Sequence, residues 1–149
     1  MEHFNSLVSV QVLKYSSIQV TYTCDKQNMT YARNFKDLIV WQKSHQLVLV
    51  IYKVTKNFPI HERYSLVPQI RRACVSVASN IVEGFHRKSN KESYHFYNYS
   101  EASLEEVKYQ LLVSKDLEYI NIEMYNEINE LCDEVGKLLN GWMKKQVIK

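Results

Sequence analysis

A chain of 149 residues, 46% apolar and 23% charged, has room for one domain with an ordinary core, and three glycines with two prolines are too few for the turns of a sandwich or barrel. No apolar run reaches the roughly 18–20 residues that cross a bilayer, and the N-terminus lacks the basic and apolar regions of a secretory signal, so a cytoplasmic protein without a membrane partner is expected. Cys24, Cys74 and Cys132 stand singly without a C-x-x-C spacing, which argues against a disulfide framework or zinc site and for reduced thiols.

Residues 1–33 read as an arm distinct from the rest. Leu7–Leu13 and Ile18–Tyr22 alternate around Lys14–Ser17 and predict two short strands, an irregular, weakly β-like segment. A lone hairpin is marginal in water, and Met29 is an alternative start just ahead of the helical pattern.

Helix one is predicted from about Asp37 to Asn57, capped by Asn34 and stopped before Pro59. It carries two apolar faces. Leu38, Trp41, Val48, Leu49 and Tyr52 make one; Val40, Leu47, Ile51 and Val54 make the other. An outer helix of a monomeric bundle needs a single stripe of roughly 100°, so the second face, Val40, Leu47, Ile51 and Val54, is expected to be covered by another subunit or a partner.

Helix two is predicted from near Ser65 to Phe85, with Pro68 in its first turn, a core stripe of Ile70, Cys74, Val77, Ile81 and Phe85, and Gly84 as terminator. Helix three opens on the capping box Ser89-Asn-Lys-Glu92 and runs to about Tyr119. Asn121 caps helix four, where Met124, Ile128, Leu131, Val135, Leu138 and Trp142 form a heptad seam. The fold class is therefore all-α: an antiparallel up-down-up-down four-helix bundle over residues 34–149.

Charge divides along the chain. Lys36–Lys91 holds ten Lys/Arg against three Asp/Glu, a net of +7, and Glu92–Glu134 holds two against eleven, a net of −9. Helices one and two are basic; three and four are acidic.

Three ordered motifs resemble a known family. Phe35-Lys-Asp-Leu-Ile-Val-Trp-Gln-Lys43 is similar to the opening of the four-helix bundle proteins encoded in intervening sequences of bacterial 23S rRNA genes. Gln69-Ile-Arg-Arg-Ala73 with Asn80-Ile-Val-Glu-Gly-Phe85 resembles their second helix, and Ser103-Leu-Glu-Glu106 with Gln110-Leu111 their third. The resemblance covers about Asn34 to Met143 and extends to the accessory protein of diversity-generating retroelements. It implies a ring-like homo-oligomer, a pentamer, with a basic surface for nucleic acid or a reverse transcriptase. Two positions depart from the pattern: Ala78 replaces a frequent helix-two proline, predicting a straighter helix, and His86 replaces a frequent glycine.

Candidate sites follow from charge and spacing. Ser76, Asn80 and Glu83 share with Arg72 an arc of about 80° on a helical wheel and form the polar face of the family motif. Arg63, Arg71, Arg72, Arg87, Lys88 and Lys91 are the candidate phosphate-binding stripe, a sequence-independent and salt-sensitive kind of contact. The competing expectation pairs these arginines with glutamates of helix three or of a neighbouring subunit. Tyr94, Phe96, Tyr97 and Tyr99 could stack bases or belong to core and interface. Glu83-Gly-Phe-His86 and Glu92-Ser-Tyr-His95 repeat the Glu-x-x-His spacing of di-iron bundles, but they sit at helix ends and lack inward carboxylates from helices one and four. His45 falls on an apolar face of helix one and reads as an interface histidine. His61-Glu62-Arg63-Tyr64 completes no zinc-protease motif, and no P-loop, G-x-G-x-x-G or catalytic Ser/His/Asp order occurs. No catalytic residue, cofactor or metal is expected. The expected function is a non-enzymatic, self-associating scaffold that binds nucleic-acid backbone through helices one and two; the alternative is a protein-assembly module without a nucleic-acid role.

Overall fold

The computed structural model describes residues 32–147, so the two strands expected in the arm, and Cys24, lie outside the described residues. Four helices follow in order: α1 (Ile39–Val54), α2 (Leu66–Phe85), α3 (Asn90–Asp116) and α4 (Ile122–Val147). They form an all-α four-helix bundle with neighbours α1–α2, α2–α3, α3–α4 and α4–α1 in contact. No helix among the described residues is long and apolar enough to cross a membrane.

The helix ends follow from local chemistry. Asn34 does cap, but what it caps is a 3-10 turn, Phe35–Asp37: its side chain accepts from Lys36 N while Asp37 accepts from Asn34 N. Leu38 is extended (φ −76°, ψ 119°), so α1 begins at Ile39, two residues later than expected. At the far end Thr55–Asn57 tightens into a second 3-10 turn, and Phe58 is extended ahead of Pro59. A third 3-10 turn, Ile60–Tyr64, leads into α2. Ser89 Oγ accepts from Glu92 N at 3.2 Å to start α3, and Asn121 Oδ1 accepts from Met124 N at 2.9 Å to start α4.

The core corrects the expected use of α1. Val40, Leu47, Ile51 and Val54 are buried within this one chain, with Leu47 and Ile51 wholly inaccessible, so the face is part of the bundle's own core rather than an exposed stripe that needs another subunit to cover it. Burying such a side chain contributes about 1.5–3 kcal/mol. The surplus lies on the opposite side: Ile39, Leu49 and Tyr52 are exposed, while Trp41 and Val48 are half-buried beside α2. The α2 stripe Ile70, Cys74, Val77 and Ile81 is fully buried as expected. The α4 seam is shifted: Ile128, Cys132, Val135, Leu139 and Met143 are buried, and Met124, Leu131, Leu138 and Trp142 flank them.

α2 and α3 make the most extensive helix contact, and small residues permit it. Ser100 Oγ donates to Val77 O at 2.8 Å. Gly84, expected to end α2, lies inside it: a Cβ there would sit 2.4 Å from Cε1 of the buried Tyr97 ring. Gly84 thus serves close packing, and the helix continues to Phe85 with His86 as its cap.

Candidate nucleic-acid interface

The six candidate cations do not form one stripe. Arg63 lies on the 3-10 turn before α2, Arg71 and Arg72 near the start of α2, and Arg87, Lys88 and Lys91 at the α2–α3 turn. Arg72 and the end of α2 are thirteen residues apart, roughly 20 Å at 1.5 Å per residue.

Their surroundings differ. Arg71 is half-buried and engaged within the bundle. Its Nε donates to Thr55 Oγ1 at 2.8 Å, an Nη donates to Tyr52 O at 3.4 Å, and the guanidinium lies 4.8 Å from the Tyr52 ring centroid. A cation here meets the carbonyl end of α1, where the helix dipole favours positive charge, so Arg71 fastens α1 to α2. Arg87 pairs with Glu83 one turn earlier and lies over Phe96, 4.4 Å from its centroid. Arg63, Arg72, Lys88 and Lys91 are exposed and have no carboxylate partner among the described residues.

The expected pairing of helix-two arginines with helix-three glutamates is thus not made among the described residues. Basic and acidic helices meet elsewhere, through Lys43 Nζ and Glu134 at 2.9 Å between α1 and α4. Lys108 Nζ lies 3.0 Å from both Glu105 and Asp133, joining α3 to α4. The aromatic cluster is also divided. Tyr97 is core, Phe96 supports Arg87, Tyr94 is exposed one turn from Lys91, and Tyr99 is exposed with its ring edge-on to Phe96.

Between α1 and α2 runs an open apolar groove lined by Phe35, Trp41, Val48, Val75 and Val82. His45 stacks on Trp41 with ring centroids 5.1 Å apart and planes 7° off parallel, which accounts for a histidine on an apolar face. The groove and the exposed Leu49, Tyr52 and Val75 form the apolar surface that α1 leaves over.

Residues 36–141 match the family of 23S rRNA-intervening sequence proteins. The chain belongs to that family. A crystal structure of a protein of unknown function, from the S23 ribosomal protein family of Bacteroides thetaiotaomicron VPI-5482, is similar: 28% identical, TM-score 0.65, covering 71% of this chain and 99% of that one. No functionally curated protein matches.

Within this intervening-sequence protein the motif residues hold helices together. Asn80 Nδ2 donates to Ser76 O at 2.9 Å and Ser76 Oγ at 3.0 Å, and Ser76 Oγ meets Ser103 Oγ across to α3 at 2.9 Å. Glu83 orients Arg87. Ala78 is buried, and α2 is continuous through it. His86 packs against Phe85 and Phe35. Among the described residues no group of three or more His, Cys, Asp or Glu could hold a metal ion. Glu83 in particular faces Arg87 rather than a second Glu-x-x-His pair.

One polar cluster was not anticipated. Glu62 accepts from Ser65 Oγ, from Leu66 N at 3.1 Å and from Tyr119 Oη at 2.8 Å, and His61 Nε2 lies 3.3 Å from Tyr119 Oη. The Ser65 and Tyr119 hydroxyls and the Leu66 amide hold the Glu62 carboxyl below its usual range; Glu62 in turn pushes the Tyr119 phenol up. The carboxylate also stands at the N-terminus of α2, where negative charge is favoured. The cluster ties the turn before α2 to the turn after α3. Burial also raises both core thiols, Cys132 to about 12 and Cys74 further, so neither is a reactive thiolate.

Proposed function

We propose that this intervening-sequence protein is a non-enzymatic, homo-oligomeric scaffold that binds the nucleic-acid backbone through exposed cations of α2 and of the α2–α3 turn. One observation carries the reading: Arg72, Lys88 and Lys91 are solvent-facing and unneutralised, in a chain that pairs other lysines with carboxylates across helices. Such cations displace counterions from phosphates and read no base sequence. Arg87 contributes as a neutralised, aromatic-backed guanidinium, and Arg71 contributes to the bundle instead. Support for self-association comes from the apolar side chains that α1 and α2 leave exposed around their groove, Ile39, Leu49, Tyr52 and Val75. That same groove favours a second reading, a protein-assembly module without a nucleic-acid role.

Fluorescence anisotropy of labelled RNA and DNA oligonucleotides separates the two. Binding to both, falling linearly in log K against log salt, is the expected result. Absence of binding at ~50 mM salt leaves the assembly module alone.

A further inference from the structure

Two surfaces outside the phosphate-binding set remain, one protruding and one recessed. The protrusion is the 3-10 turn Ile60–Tyr64. Ile60 is 76% exposed and Tyr64 87%, the two most exposed large apolar side chains among the described residues, and Arg63 between them is an exposed, unpaired cation. The turn is not loose. Glu62 anchors it through Ser65, Leu66 and Tyr119, and buried Phe58 precedes it, so both apolar side chains are presented from a fixed base. An aromatic beside an arginine on an anchored turn has the composition of an interface anchor.

The recess is a cleft of about 390 Å3 between α1 and α4. Its floor is apolar: Val50 and Val54 from α1, Ile128 and Leu131 from α4. Its α4 rim carries Glu127, Glu130 and Glu134, spaced three and four apart and so on one side of the helix. Lys43 neutralises Glu134 at one end; Glu127 and Glu130 have no cation among the described residues. The Glu127 carboxyl is held above its usual range by desolvation and by Glu130, consistent with a carboxylate short of a counter-charge. Phosphate is repelled here, so the cleft is closed to nucleic acid.

We infer that self-association is head-to-tail, with Ile60, Arg63 and Tyr64 of one copy seated in the α1–α4 cleft of the next. The protrusion supplies apolar bulk and one cation; the cleft supplies an apolar floor and two uncompensated carboxylates. The surfaces differ from each other, so the contact is heterologous, and an open assembly retains one free protrusion and one free cleft, at its two ends, until it closes. The assignment rests on the homo-oligomer reading and does not depend on nucleic-acid binding; it gives Arg63 to the subunit contact rather than to phosphate.

Sedimentation velocity on the full chain and two charge-reversed variants, Arg63→Glu and Glu127→Lys/Glu130→Lys, tests it. Each variant sets like charges against each other and is expected to weaken association by about tenfold or more. Mixing the two variants brings the introduced carboxylate of the protrusion onto a lysine-lined cleft and is expected to restore a complex containing both chains. Circular dichroism confirms that each variant stays helical. Variants that associate as the wild type does, or a mixture that recovers no mixed complex, overturn the head-to-tail contact while self-association stands. A wild-type chain that is monomeric at all concentrations overturns both.

Discussion

Gly84 on α2 and Gly136 on α4 sit in diagonally opposed helices of one bundle, and their backbones face different surroundings. A Cβ at Gly84 would lie 2.4 Å from the ring of Tyr97, a side chain 1% exposed with nowhere to move; at Gly136 it would meet Leu104 Cδ2 at 3.5 Å, an ordinary contact. Alanine gains about 1 kcal/mol over glycine in a helix, and forced overpacking costs about 1–3 kcal/mol. Gly84→Ala is therefore expected to lower stability in urea or thermal unfolding, whereas Gly136→Ala leaves it unchanged or raises it by up to about 1 kcal/mol. Equal effects of the two substitutions would contradict this packing. Gly84 illustrates what a sequence pattern hides. A glycine near a helix end reads as a terminator, and only Tyr97, thirteen residues away on the next helix, discloses its purpose.

At the scale of elements, the helices were legible because their information is local. The α2 stripe at Ile70, Cys74, Val77 and Ile81 and the caps Ser89 and Asn121 all act within a few residues of where they stand. The inward face of α1 was not legible. Apolar residues cover most of its circumference, so periodicity alone does not choose between Val40–Leu47–Ile51 and Trp41–Val48–Tyr52; packing within the bundle chooses the first. The shifted α4 seam has the same origin, since Cys132, Leu139 and Met143 are as apolar as Leu131 and Leu138. The Glu62 cluster was invisible for a further reason: Tyr119 is 57 residues away. Its effect on stability has a definite sign. A carboxyl held below its usual value stabilises the fold above the unfolded pKa of about 4.3 and loses that contribution as pH falls through the lower, folded pKa. Thermal melts of the wild type and Glu62→Gln are thus expected to differ most near neutral pH and to converge as the solution is acidified. A difference that stays constant from neutral pH to strong acid would contradict a charged Glu62 as the anchor.

For the whole molecule, a split of +7 and −9 along the sequence suggested two oppositely charged halves held together by arginine–glutamate pairs. The folded chain distributes its charge otherwise. Cross-helix pairs form on the α1–α4 and α3–α4 sides, Arg71 and Arg87 are engaged by α1 and by their own surroundings, and the remaining cations of α2 and its exit turn face solvent. Oligomerisation through the anchor and cleft would leave Arg72, Lys88 and Lys91 available for phosphate. The most direct measurement is the salt dependence of RNA binding by the wild type beside an Arg72→Ala/Lys88→Ala/Lys91→Ala variant. Three lost phosphate contacts should flatten the slope of log K against log salt by about 2–3 units, at roughly 0.7–0.9 per contact, with the helical content unchanged. An unaltered slope would place the binding surface elsewhere and contradict the account.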